Sequence, residues 1–215
     1  MKTSNAVTGI KPSDAVPAAD APGADARGRL LTAALRVLHE EGIHALTQTR
    51  VAVIAGLRQS HLTYYFPTRI DLLKAIIEHA SGAVMALIGD GADSKVRKLS
   101  DIRTILCDQL ADTRMPRLLM AMAAAADENP SLKAWMTAFE LRIRKFLGMA
   151  LQRFGVRVAA RDLALFHATM VGVAVFNYSA GTPTSARQAR ALVRAAFDRV
   201  VADAAASRSA ASHAA

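Results

Sequence analysis

Gly56 and the residues on either side of it constrain this chain more than any other feature. The run Thr47–Phe66 holds two short segments punctuated by apolar residues and separated by Ala55, Gly56 and Leu57. Thr47 can cap a short helix through Val51 and Ala52, and Gly56 tolerates the positive φ that would end it. A second short helix then runs through Leu62 to Phe66, where Pro67 interrupts it. Two short helices meeting steeply over almost no loop make a helix-turn-helix, with Ala52 as the small residue at the crossing. Val51, Leu57 and Leu62 would pin both onto a preceding helix.

That preceding helix is legible as the stripe Leu30, Leu31, Ala34, Val37 and Leu38, stopped by Gly42. Packing on it leaves Gln59, Ser60, His61, Thr63 and Tyr64 on the exposed part of the second short helix. Such side chains can hydrogen-bond base edges in a major groove. Arg50, Arg58, Arg69 and the hydroxyls of Tyr64 and Tyr65 suit phosphate contacts, which set register without reading sequence. Tyr64 and Tyr65 cannot both point inward, so one is expected in the core and one facing DNA. Thr47 is a structural cap first and a phosphate contact second, and Thr49 joins the set expected to face double-stranded DNA.

The rest of the chain reads as helix. The 215 residues are 52% hydrophobic but only 5% aromatic, and alanine-rich sequence with few alternating β-branched runs favours packed helices over strands. Helices are expected at about 70–88, 98–112, 116–127, 131–153, 160–179 and 185–205. Pro116 and Pro130 sit where first-turn prolines belong, and Gly181 with Pro183 separates the last two helices. Residues 1–24, with Pro12, Pro17 and Pro22, are expected as a disordered leader, and 207–215 as a disordered tail. The expected domains are a helix-turn-helix unit over 25–73 and a larger helical unit over 74–206. The fold class is all-α.

Composition narrows function mainly by exclusion. The formal charge of +9 permits a polyanionic partner. It does not locate one, because residues 25–75 carry 7 basic and 4 acidic groups while 76–215 carry 18 and 12. A single cysteine, Cys107, rules out an intrachain disulfide and a clustered-thiolate zinc site. No signal-peptide core follows Met1, and the uncharged runs near Leu118–Ala126 and Leu163–Phe176 are shorter than a bilayer span. A cytoplasmic protein with no membrane association, no metal and no cofactor is expected. The six histidines form no HExxH or paired-ligand pattern, and no phosphate loop or nucleophile elbow is present, so no enzymatic activity is expected.

The run from Arg27 to Leu73 resembles the DNA-binding domain of TetR-family regulators. The matching features are Leu30-Leu31 with Ala33-Ala34, Gly42, Thr47, Val51-Ala52, Ala55-Gly56-Leu57, Leu62, Tyr65-Phe66-Pro67, Arg69 and Leu72-Leu73. Two residues depart from the pattern. Arg58 stands where many relatives place a capping Ser or Thr, and Thr63 stands where an aromatic residue is usual. The resemblance implies a transcriptional regulator, most commonly a repressor, working as a homodimer on a near-palindromic operator. It also implies that a bound effector favours a dimer whose recognition helices are wrongly spaced for two successive grooves.

The last two helices are the expected dimer contact, with Gly172 allowing close approach and Val173, Leu192, Val193, Ala196, Phe197 and Val200 at the interface. Cys107, Met120, Trp135, Met136, Phe139, His167, Met170, Asn177 and Tyr178 are the candidates for lining an adaptable pocket for a small apolar or amphipathic effector. Among them His167 and Asn177 stand out as polar interruptions of an apolar helix. The competing reading is a helical interaction or small-molecule-binding protein without specific DNA binding.

Overall fold

The computed structural model describes residues 25–127 and 129–213. They form nine α-helices and one 3-10 turn: α1 Ala26–Glu40, the turn Ile43–Ala45, α2 Gln48–Ala55, α3 Gln59–Tyr65, α4 Arg69–Ile88, α5 Leu99–Ala111, α6 Arg114–Ala126, α7 Pro130–Gln152, α8 Ala160–Ala180 and α9 Pro183–His213. No strand occurs among the described residues. The leader expected over 1–24 lies outside them.

Local chemistry sets the helix starts. The Thr47 hydroxyl accepts the Arg50 N–H at 3.2 Å, and Thr68 with Asp71 forms a reciprocal capping box at the start of α4. Asn129 caps α7 ahead of Pro130. The Arg97 and Lys98 N–H groups donate to the Asp101 carboxylate, which holds that carboxyl below its ordinary range.

Two buried clusters organise the chain. In the first, Leu30, Leu31, Ala34, Val37 and Leu38 of α1 meet Val51 and Ala52 of α2, Leu62 of α3, and Leu72, Leu73, Ile76 and Ile77 of α4. Leu118 and Met122 of α6 and Leu132 of α7 belong to the same cluster, so the N-terminal helices share their core with the rest of the chain. In the second, Ile88 at the end of α4 joins Ile102, Leu147, Phe166, Val193 and Phe197. The boundary expected at 73/74 falls inside α4, which runs unbroken from one cluster to the other.

Two expectations need correcting. α9 continues through His213 instead of giving way to a disordered tail at 207. Alanine is the strongest helix former, and the Ser207 and Ser209 hydroxyls fold back onto the Asp203 and Ala205 carbonyls instead of competing from outside the helix. Counted as a helix and not as an uncharged run, α8 is long and apolar enough by composition to cross a membrane, with a mean hydropathy of 1.4. Here it packs against α5, α6, α7 and α9.

The turn between α2 and α3 closes as a Schellman motif. Gly56 adopts φ +64, its N–H donates to Val53 O at 3.0 Å, and the Leu57 N–H donates to Ala52 O at 2.9 Å. A Cβ on Gly56 would stand 3.3 Å from Arg29 Nη2. Gly56→Ala is therefore expected to destabilise the protein by about 1–2 kcal/mol, the cost of placing an alanine in the left-handed region. Equilibrium denaturation of the two proteins checks this.

Candidate nucleic-acid interface and effector cavity

α3 hangs on Leu62, which is fully buried. With helical rotation measured from Leu62, Ser60 and Tyr64 lie at the centre of the outward face, and His61 and Thr63 lie on its flanks. All of these, with Gln59 and Arg58, are exposed. The tyrosines divide as geometry requires. Tyr64 is 79% exposed, whereas Tyr65 packs against the first core, its ring edge-on to Tyr64 at 5.1 Å. Tyr65 is thus the packing member of the pair and Tyr64 the exposed one.

Hydrogen bonds sort the remaining candidates. Thr49 donates to Gln59 Oε1 at 3.3 Å, and Thr63 turns its hydroxyl back to Gln59 O at 3.1 Å. Ser60, His61 and Arg58 have no side-chain hydrogen bond among the described residues. Arg58 is the extended residue before α3, and its guanidinium, which carries only donors, supplies no side-chain cap. Arg50 is different: its Nε and Nη2 clamp Glu41 at 2.8–3.1 Å, which raises the guanidinium pKa further. In the structure Arg50 ties the end of α1 to the start of α2. Arg69 likewise donates to Ile43 O at 3.3 Å, and the Thr47 hydroxyl is occupied by its cap.

Three contributors lay outside the sequence expectation. Arg29 Nη2 donates to Ala55 O at 2.8 Å, satisfying a carbonyl at the end of α2. Gln48 Nε2 donates to Phe66 O at 3.1 Å and so joins the first turn of α2 to the end of α3. Val53 is 62% exposed on α2, an apolar side chain beside this polar surface. None of the three has a signal in the pattern of apolar residues, because each acts through a partner distant in sequence or through exposure itself.

A cavity of about 190 Å³ lies between α4, α5, α6, α7 and α8. Phe139, His167 and Met170 line it, together with Val84, Met85 and Phe146, which sequence reading did not single out. Six other pocket candidates lie elsewhere. Asn177 is satisfied within the protein: it donates to Ala111 O at 3.2 Å and Leu110 O at 3.4 Å and accepts from Ser185 Oγ at 2.8 Å. Its polarity ties the end of α5 to the α8–α9 turn. Trp135 stacks on Phe139 at 5.2 Å, behind the cavity wall, and Met136 packs on the first core. Tyr178 sits against the Arg117 guanidinium, 5.7 Å from its ring centre, and Met120 is 47% exposed. The buried Cys107 thiol faces Arg190 O at 3.6 Å, and burial pushes its pKa up. Among the described residues no three His, Cys, Asp or Glu side chains could jointly hold a metal.

The expected dimer residues also need correcting. Val173, Val193, Phe197 and Val200 are buried in the chain's own second cluster, and Ala196 packs against it. Of the named set, Leu192 alone is well exposed, at 55%. What α8 and α9 leave uncovered is carried by other residues, with Leu165 and Phe176 exposed on α8 and Leu192, Ala191 and Ala195 exposed on α9.

His167 is mostly buried, and that burial holds its pKa below the ordinary histidine value despite Glu140, with Arg144 pushing the same way as burial. A histidine with a lowered folded-state pKa binds fewer protons folded than unfolded just below pH 6.5. Stability then rises with pH across that window and is lost as pH falls through it. The Tm of the protein is expected to fall between pH 7 and pH 5, and to fall less in His167→Gln. Scanning calorimetry across that range checks the difference.

Residues 30–76 match the model of the family described as bacterial regulatory proteins, tetR family. Over 81 residues the chain is 28% identical to the nucleoid occlusion factor SlmA of Haemophilus influenzae, a match covering 37% of each protein and so little more than a third of that relative. A TetR transcription regulator from Haloarcula marismortui superposes with a TM-score of 0.63 at 19% identity, covering 82% of this chain and 98% of that one. The multidrug binding protein EbrR, solved in complex with imidazole, gives 0.55 at 21% identity, covering 83% and 96%. Residues 30–76 thus carry a TetR-type helix-turn-helix domain, and over its described length the chain has the all-helical fold of these solved structures.

Proposed function

We propose that this protein is a cytoplasmic, effector-responsive repressor that binds a near-palindromic operator as a homodimer. The observation that carries the DNA-binding part is the outward face of α3. Ser60, His61 and Tyr64 are exposed there with no side-chain hydrogen bond among the described residues, and the guanidinium of Arg58 stands at the helix start. The ties from Arg29, Gln48 and Arg50 hold that face in place, so it meets a groove preformed.

The dimer part rests on the uncovered face of α8 and α9. Phe176 is 77% exposed and Leu165 67%, and helical rotation puts both on one face of α8, where they form a patch and not scattered single residues. Two copies of α8 and α9 brought together on this face make a four-helix contact and place two α3 helices on one DNA duplex.

The effector part rests on the cavity. Its walls include Ser81, Val84, Met85 and Ile88 of α4, the helix that leads directly from α3. A ligand that fits the cavity better in one setting of α4 shifts the dimer toward one α3–α3 spacing. Each tenfold change in operator affinity needs about 1.4 kcal/mol of differential binding. EbrR is described as a multidrug binding protein, and its likeness in fold supports looking for a ligand here.

Selection from a randomised duplex pool at moderate salt tests the DNA reading. A near-palindromic consensus is expected, and His61→Ala or Gln59→Ala should lower affinity for it about tenfold or more, the size of one lost base contact. Enrichment of nothing, with binding that vanishes under modest salt, would leave non-specific electrostatics and favour a helical interaction protein. For the dimer, Phe176→Glu is expected to yield a folded monomer by sedimentation velocity, because the side chain lies outside both cores. A Phe176→Glu protein that still sediments as a dimer would place the interface elsewhere.

A further inference from the structure

The polarity of the cavity wall is confined to Ser81, Gln109 and His167; the other lining side chains are apolar. None of these three side chains makes a hydrogen bond among the described residues. His167 is the most enclosed of them, with its side chain 12% exposed. Its Nδ1 lies 3.8 Å from Glu140 Oε1 on α7, too far for a hydrogen bond but close enough for the carboxylate to favour a proton on that nitrogen. The other nitrogen, Nε2, then keeps its lone pair and can only accept.

Charge and size exclude most ligand classes. A buried anion needs a cationic partner, and no Lys or Arg lines the wall; Arg144 lies outside it, 3.7 Å from Glu140. A buried cation finds no carboxylate in the wall, because Glu140 is not among the lining residues. At about 190 Å³ the cavity exceeds modestly the roughly 150 Å³ apolar cavity that admits benzene.

From this we infer that the cavity takes a neutral, mostly apolar molecule of about one aromatic ring with a short substituent, bearing one hydroxyl that donates to His167 Nε2. A simple alkylphenol has this chemistry. The inference rests on the effector reading of the same cavity and narrows it to a ligand class. Met85, Met115 and Met170 in the wall allow the apolar part to vary in shape, whereas His167, the most enclosed of the three polar side chains, fixes where the hydroxyl goes.

The test is titration of the full chain with 4-ethylphenol, ethylbenzene and 4-ethylbenzoate. Calorimetry gives affinity, and Trp135 fluorescence gives a second readout, since the only tryptophan stacks on the cavity-lining Phe139. 4-Ethylphenol is expected to bind about tenfold or more tighter than the other two, the size of one hydrogen bond to a buried acceptor. His167→Phe should bring the phenol down to the hydrocarbon and leave the hydrocarbon within about threefold of its wild-type value. If that variant does not fold, the wild-type series alone still decides. Equal binding of phenol and hydrocarbon would overturn the hydroxyl assignment and leave the effector cavity standing. Tightest binding of the benzoate would overturn it in favour of an anion site. No binding of any probe at millimolar concentration would remove both the ligand class and the effector reading.

Discussion

Helix α4 carries buried side chains into two separate cores, and the rest of the molecule depends on that double membership. Leu72, Leu73, Ile76 and Ile77 anchor its first half among α1, α2, α3, α6 and α7, while Ile88 anchors its end among α5, α7, α8 and α9. Between those anchors the helix presents Ser81, Val84 and Met85 to the cavity. The cavity thus opens where the two cores part, along the element that joins them. Close-packed interiors transmit displacement better than they absorb it, which is why the proposed effector response is placed on the helix that leads to α3.

The N-terminal helices are held less by the length of their elements than by what each end is tied to. α2 and α3 have eight and seven residues, too short to be stable alone. Leu62, Val51 and Ala52 dock them on α1, and the polar ties from Arg29, Gln48 and Arg50 occupy the helix ends and the flanks. The result is a division of labour among polar residues of similar type. Arg50 and Arg69 have protein partners, whereas Arg58 has none among the described residues and remains available to a phosphate.

Most of this fold was legible in the sequence, and the failures share one physical cause. Apolar spacing reveals that a face is buried but not what buries it. The stripe through Val193, Phe197 and Val200 was read as a contact with a second chain, yet it closes the chain's own second core. The apolar side chains left exposed on α8 and α9 are Phe176, Leu165, Leu192 and small alanines, a pattern too weak to stand out. Asn177 shows the same limit for polar groups: a buried amide must find partners, and these were backbone carbonyls at the end of α5 and not a ligand. Gly56 was legible because a positive φ demands glycine locally. The tie from Arg50 to Glu41 was not legible, because that partner lies beyond the reach of any local pattern.

The central claim is that two copies of α3, set by α8 and α9 of a dimer, read one face of one duplex. Changing the distance between the half-sites of the selected operator tests it most directly. About five inserted base pairs turn one half-site to the opposite face of the helix, and about ten restore the phase. The account predicts that affinity collapses toward the non-specific level with five and recovers in part with ten. Affinity unchanged by either insertion would mean that single chains bind single half-sites, and would contradict the dimer reading on which the proposed regulation depends.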